Sequence, residues 1–228
     1  MRYLEVFEMA LLRLKNIEKI VDGERILKGI NLEIEKGCFV TIIGPSGSGK
    51  SSLLYIMGLL DLPTAGEIFY EEKPLNLRDQ KFLSAFRNQK MGFVFQFHYL
   101  IPELTLLENV MAPQIKAGVS FKEAEERARY LLNKLGLSGK ERRMSYEVSG
   151  GEMQRAAIAR ALANDPEILL CDEPTGNLDS KNTERVMEIF EKLNEEGKTI
   201  IMVTHDLNLA RRGKRVIEML DGEIKKID

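Results

Sequence analysis

An α/β fold is what the sequence predicts: a mostly parallel core sheet, an antiparallel β portion at the front and a helical insert in the middle. Two observations carry this reading. Short apolar runs without polar alternation, FVTIIG at 39–44, EILLCDE at 167–173 and TIIMVTH at 199–205, have the length and β-branched content of strands buried on both faces. Segments with helical spacing separate them, the alternation that βα units impose.

The elements follow in chain order. LLRLKNI and ILKGINLEIEKG are β-rich and open the recognisable pattern, which begins just after Met9, an alternative start. FVTIIG feeds a glycine-rich turn and then a helix starting near Lys50. GEIFYEEKPL at 66–75 reads as a hairpin around Glu71-Glu72-Lys73. From about 78 to 160 the chain reads as mostly helical. Ser120 with Glu123 three residues on is an N-terminal capping signal, Ala124, Ala128, Leu131, Leu132 and Leu135 form an apolar stripe, and Gly136 stops the helix. VMEIFEKLN repeats apolar residues at helical spacing before Gly197, and RVIEMLDGEIKKI closes as a hairpin turning at Asp221-Gly222.

A net charge of −2 gives no electrostatic reason to expect a nucleic-acid partner. Cys38 and Cys171 lie far apart in apolar runs, outside any CxxC pair, and read as inert core cysteines. The most apolar run, LLYIMGLL at 53–60, is too short to span a bilayer, which takes roughly 20 residues. The N-terminus carries two glutamates and no long apolar centre, so it is not read as a secretory signal. A cytoplasmic protein is expected, with any membrane role arriving through a partner.

GPSGSGKS at 44–51 matches the P-loop pattern G-x-x-x-x-G-K-[ST]. In the loop Gly44, Pro45, Ser46, Gly47, Ser48 and Gly49 the glycines let backbone N–H groups close around phosphate oxygens, and the helix start at Lys50, Ser51 and Ser52 aims its positive end at the same anion. Lys50 adds a mobile full charge, and the Ser51 hydroxyl is a candidate Mg²⁺ ligand. ATP with Mg²⁺ is the cofactor pair expected. Asp172 ends an apolar strand, where open α/β sheets place ligands, and supplies the carboxylate for the metal shell. Glu173, directly after it, is the candidate general base for an attacking water. His205 ends another buried strand and is expected to bond the γ-phosphate and Glu173. His98 lies in a loop and is assigned no chemistry.

VSGGEMQRAAIARAL at 148–162 is a second anion-binding helix start, with Ser149 at the N-cap and Gly150 and Gly151 exposing backbone N–H groups. A second cradle implies either another phosphate site or one nucleotide held between two chains.

GPSGSGKS, Gln96, VSGGE (with Glu152), ILLCDEP, GNLD at 176–179 and VTHD resemble, in order, the Walker A, Q-loop, signature, Walker B, D-loop and H-loop elements of ABC ATPases, over residues from about 11 to 228. The resemblance implies a P-loop NTPase fold of the ABC ATPase kind in a single domain over 1–228. The antiparallel β subdomain and a helical subdomain at approximately 78–160 are then set into the P-loop core. It implies a homodimer with ATP sandwiched between the P-loop of one subunit and Ser149-Gly150-Gly151 of the other, Gln96 contacting Mg²⁺ or the water, and Asp179 lining the seam. It also implies integral-membrane permease subunits as partners and a peripheral position on the cytoplasmic face of the inner membrane. The stretch GFVFQFHYLIPELTLLENVMAP at 92–113, SGGE and EPTGNLD look like the lipoprotein-releasing branch, in which the permease handles the lipoprotein. Macrolide-exporter and cell-division ATPases are similar alternatives. Soluble relatives acting on DNA or ribosomes carry long coiled-coil inserts or paired cassettes, and this chain has neither. Phe93, Phe95, Phe97 and Tyr99 would lie where this family receives a helix of its membrane partner. One departure stands out: where the family carries an adenine-stacking aromatic, in a K-x-Y pattern, this chain has Lys19-Ile20-Val21. Val21 is then the residue expected over the base, unless Tyr3 or Phe7 folds over it.

Overall fold

The structure, a computed structural model, describes residues 10–228. Alternating apolar and polar residues give β2 (Glu24–Glu35) one buried face, and it pairs antiparallel with β1 (Ala10–Val21). β4 (Ala65–Tyr70) pairs with the other edge of β1, and β5 (Lys73–Pro74) follows it, giving a four-stranded sheet in the order β2-β1-β4-β5. The expected hairpin is present, its turn made by Glu71 and Glu72, both with positive φ.

The second sheet has six strands in the order β10-β9-β3-β8-β7-β6. β3 (Phe39–Ile43), β6 (Met91–Phe95), β7 (Ile168–Asp172), β8 (Thr199–Val203) and β9 (Arg215–Leu220) run parallel, and β10 (Glu223–Ile227) closes the edge antiparallel. The β9–β10 hairpin turns at Asp221-Gly222, φ 49° and 78°, as the Asp-Gly pair demands.

Successive residues of the core strands point into two different cores. Val40, Ile42, Ile168, Leu170, Ile201 and Val203 join the antiparallel sheet and α1 (Lys50–Met57). Phe39, Leu169, Cys171, Ile200 and Met202 face the helices on the other side. These are α3 (Leu106–Lys116), α4 (Phe121–Lys134), α5 (Gly150–Ala161) and α6 (Ser180–Glu195). Near-continuous apolar strands are thus the consequence of a sheet covered on both faces. α2 (Gln80–Lys90) precedes β6, and α7 (Leu207–Ala210) lies between β8 and β9.

One reading is refined and one corrected. The span from about 78 to 160 is mostly helical as expected, but β6 lies within it and pairs in parallel with β7, so Phe93 and Phe95 belong to a core strand. A five-residue apolar run has no periodicity of its own, and its pairing is a long-range fact. Cys38 is only half-buried and sits just before β3, whereas Cys171 is fully buried in β7, where burial pushes its thiol well above the ordinary range. The Ser120 helix is α4 as expected, with a reciprocal capping box to Glu123 and Gly136 at φ 72° after it.

Candidate active site

The carboxyl ends of four parallel strands meet at one edge of the sheet, where doubly wound sheets hold ligands. β3 delivers 44–51, β6 delivers Gln96, β7 delivers Asp172 and Glu173, and β8 delivers Thr204 and His205. A cavity of about 480 Å³ opens there, lined by Ser46, Gly47, Gly49, Lys50, Ser51, Ser52, Glu173 and His205, with Ile26 and Val203 on its apolar side.

The loop after β3 needs its glycines. Gly44, Gly47 and Gly49 have φ of 149°, 80° and 92°, and a Cβ on Gly44 would stand 2.2 Å from the Met219 carbonyl oxygen. Gly49 occupies the N-cap of α1 without a side-chain cap bond, leaving the N–H groups at that helix start for an anion. Lys50 Nζ donates to the carbonyls of Gly44 and Pro45 at 2.9 and 2.8 Å, leaving its third N–H for a phosphate oxygen.

Asp172 is buried, and both of its oxygens accept hydrogen bonds: Oδ1 from Ser51 Oγ at 3.0 Å and Oδ2 from the Tyr55 hydroxyl at 2.7 Å. Mg²⁺ takes oxygen ligands and usually keeps waters and phosphate oxygens around it. One hydroxyl and one buried carboxylate beside a phosphate cradle fit such a shared ion. No cluster of three or more His, Cys, Asp or Glu suited to a metal forms among the described residues.

Glu173 has φ 46°, an uncommon conformation for a residue with a side chain, and its N–H donates to Val203 O at 3.0 Å. The adjoining strand therefore holds the backbone in a strained turn that aims the carboxylate into the cavity. His205 Nδ1 lies 2.9 Å from Glu173 Oε1, and the ring is otherwise open to solvent. Gln96 is turned elsewhere: its Nε2 donates to Asn177 Oδ1 at 3.1 Å and Asn177 Nδ2 donates back to Gln96 O at 3.2 Å. No hydrogen bond joins Gln96 to Ser51 or Asp172.

Ser149, Gly150 and Gly151 open α5 but line no part of the cavity. Ser149 and Glu152 form a capping box at the start of α5, in which the Ser149 N–H donates to Glu152 Oε2 at 2.9 Å. Glu152 also pairs with Lys140, and these two donors pull its carboxyl down to about 2. A Cβ on Gly151 would meet Asn182 Oδ1 at 2.2 Å, so a larger residue there would have to displace the Asn182 side chain of α6. Asp179 caps α6, accepting from Asn182 N at 2.8 Å, and its carboxyl is lowered by that bond. Val21 is 45% exposed beside the β1–β2 turn and is not among the cavity residues. Tyr3 and Phe7 lie outside the described residues.

Sequence reasoning missed Ile26, Tyr55 and Asn177. Tyr55 had a usable signal, standing four residues after Ser51 and hence on the same face of α1.

Beside the site a groove of about 380 Å³ is lined by Leu60, Phe93, Phe95 and Pro113 with the cations Arg87, Lys116 and Arg160. Arg160 donates from Nη2 to His98 O at 2.7 Å and from Nη1 to Tyr99 O, tying α5 to the segment after Gln96. His98 and Tyr99 both have positive φ there, and the side chains of Phe97 and Tyr99 are 65% and 62% exposed. No described helix is long and apolar enough to cross a membrane.

Residues 27–176 match the family model described as ABC transporter. The chain is 60% identical over 214 residues to the lipoprotein-releasing system ATP-binding protein LolD of Aquifex aeolicus (strain VF5), covering 94% of this chain and 96% of that protein. It is 50% identical to the macrolide export ATP-binding/permease protein MacB of Mannheimia succiniciproducens, covering 95% of this chain but 34% of that protein. Among solved structures it is similar to a dimeric, post-hydrolysis ATP-binding cassette from Methanocaldococcus jannaschii bound to ADP and Pi. There the identity is 45%, the TM-score 0.87 and the coverage 95% of this chain and 97% of that one.

Proposed function

The chain belongs to the ABC transporter family of ATP-hydrolysing subunits, and on that premise we propose that it drives lipoprotein release from the inner membrane. The carrying observation is the 60% identity to a LolD protein across nearly the full length of both chains. The MacB likeness reaches only the ATP-binding third of a longer protein, so it supports the shared ATPase and not macrolide export by this chain.

ATP binding and hydrolysis coupled to transport are the family's activity, and the residues here divide that work. The helix-start N–H groups of α1 and Lys50 grip the phosphates. Ser51 and Asp172, with Gln96 once its amide leaves Asn177, are read as the residues that would hold Mg²⁺, which when bound would supply positive charge to offset that of the phosphates. Glu173 takes the proton of the attacking water, its carboxylate kept in place by the strained backbone and by His205. Ser149, Gly150 and Gly151 serve the nucleotide of a second copy, a reading supported by their absence from this chain's own cavity. That arrangement is a two-fold, self-complementary dimer, with Asp179 at its seam.

The single domain of 1–228 is read as a P-loop core carrying the β subdomain and a helical subdomain from within 78–160, less the core strand β6. The groove beside Gln96 is read as the seat of the integral-membrane permease, which places this chain peripherally on the cytoplasmic face. The permease, not this chain, handles the lipoprotein, and no nucleic acid is involved.

The test is reconstitution. The chain, purified with the integral-membrane proteins that accompany it, is placed in proteoliposomes loaded with a triacylated lipoprotein. ATP should free the lipoprotein into solution. ATP-driven transport of some other cargo, with the lipoprotein left in the bilayer, would overturn the reading.

A further inference from the structure

Asp172 is held from two directions by one helix. Ser51 and Tyr55 lie one turn apart on α1, and each gives its hydroxyl proton to a different oxygen of the same carboxylate. The Tyr55 bond is the shorter, at 2.7 Å, and both carboxylate oxygens are fixed only when it is present. The tyrosine ring is itself fixed: it meets Phe95 edge-on, with centroids 6.4 Å apart and planes at 66°. Phe95 in turn stacks parallel to Phe93 at 6.1 Å and lines the groove.

We propose that Tyr55 is a positioning residue for the metal shell, locking the Asp172 carboxylate so that Oδ1 faces the Ser51 hydroxyl and the ion bound with ATP. This rests on the reading of Asp172 as a Mg²⁺ holder. A carboxylate bonded through Oδ1 alone can rotate about its Cβ–Cγ bond, and an ion gathering its ligands must then stop that rotation. Outer-shell donors of this kind typically change metal affinity by roughly 10–100-fold when removed. Tyr55 is not among the residues lining the phosphate cavity, so its effect must appear in metal dependence and not in the grip on the phosphates.

Tyr55→Phe removes the hydroxyl and keeps the ring against Phe95. In a Glu173→Gln background, ATP binding is titrated by calorimetry against Mg²⁺ concentration and again in EDTA, with unfolding midpoints recorded. Tyr55→Phe should raise the Mg²⁺ concentration for half-maximal tightening by about tenfold, leaving the metal-free affinity and the midpoint unchanged. Asp172→Asn is the reference and should shift the Mg²⁺ curve further. If Asp172→Asn shifts the curve and Tyr55→Phe does not, the positioning role is overturned while the metal reading stands. If neither shifts it, the metal reading of Asp172 fails first. Equal weakening with and without Mg²⁺ would make Tyr55 a packing residue and also sink the proposal.

Discussion

At the scale of single residues, the proposed base is Glu173, and its backbone shows why sequence alone describes it incompletely. The DE pair ending an apolar run is what suggests a metal carboxylate followed by a base. The left-handed φ of 46° was not legible, because it depends on the bond from Glu173 N–H to Val203 O across the sheet. Glu173→Gln keeps the shape and loses the proton acceptor, so ATP binding should persist while turnover falls by roughly 10² or more; single-turnover assays beside nucleotide titration check this. Val21 is the residue where sequence reading is least supported. It is exposed near the cavity's β-subdomain side but outside the lining, and Ile26 supplies the apolar wall instead. Neither side chain offers a π-surface, which contributes about 1–3 kcal/mol per stacked base. Wild type should therefore discriminate weakly between ATP and GTP, and Val21→Tyr should tighten ATP several-fold with kcat nearly unchanged. A strong wild-type preference for ATP with no gain from the tyrosine would show that another ring covers the base.

At the scale of elements, two helix starts are proposed to hold anions, and they differ in how they are finished. α1 begins at Gly49 without a side-chain cap and opens directly onto the cavity. α5 begins at Ser149, locked from behind by Glu152 and Lys140. Turned away from its own chain's cavity, it is the start proposed to serve the nucleotide of a second copy. Glu173→Gln with ATP should convert monomers to dimers in light scattering, and Ser149→Arg should prevent it by filling the space in front of α5. ATP-induced dimers that survive Ser149→Arg would remove α5 from the interface. The capping signals Ser120…Glu123 and Ser149…Glu152 were readable because they are local. Thr105…Glu108, which starts α3 by the same capping box, was equally readable and was overlooked. β6 was not readable: GFVF carries no period, and only its pairing with β7 makes it a core strand. The same holds for the bond between Gln96 and Asn177, 81 positions apart.

At the scale of the molecule, three layers create two working surfaces. The order β9-β3-β8-β7-β6 brings four loop-bearing strand ends to one edge, and three of them, β3, β7 and β8, were legible because each apolar run ends in a polar motif. The groove is different in kind. Its floor comes from β6, its rims from α2, α3 and α5, and its cations Arg87, Lys116 and Arg160 are spread over more than 70 positions of chain. No motif announces such a surface, although the exposed Phe97 and Tyr99 hinted at it. Its chemistry, aromatic below and cationic at the rim, suits an amphipathic permease segment carrying a carboxylate. Lys116, the last residue of α3, is suited to testing this because its substitution disturbs no core contact. Lys116→Glu reverses charge at the rim, and Phe97→Ser removes the more exposed ring of the Phe97–Tyr99 pair. The double variant should unfold at the wild-type midpoint, yet recover at least tenfold less permease when the complex is captured from detergent-solubilised membranes, since a loss of about 1.4 kcal/mol is tenfold in affinity. Raising salt should weaken the wild-type complex toward the variant, because rim charges are screened within a Debye length of about 8 Å at physiological ionic strength. Undiminished capture by the double variant would place the permease on another face of the molecule.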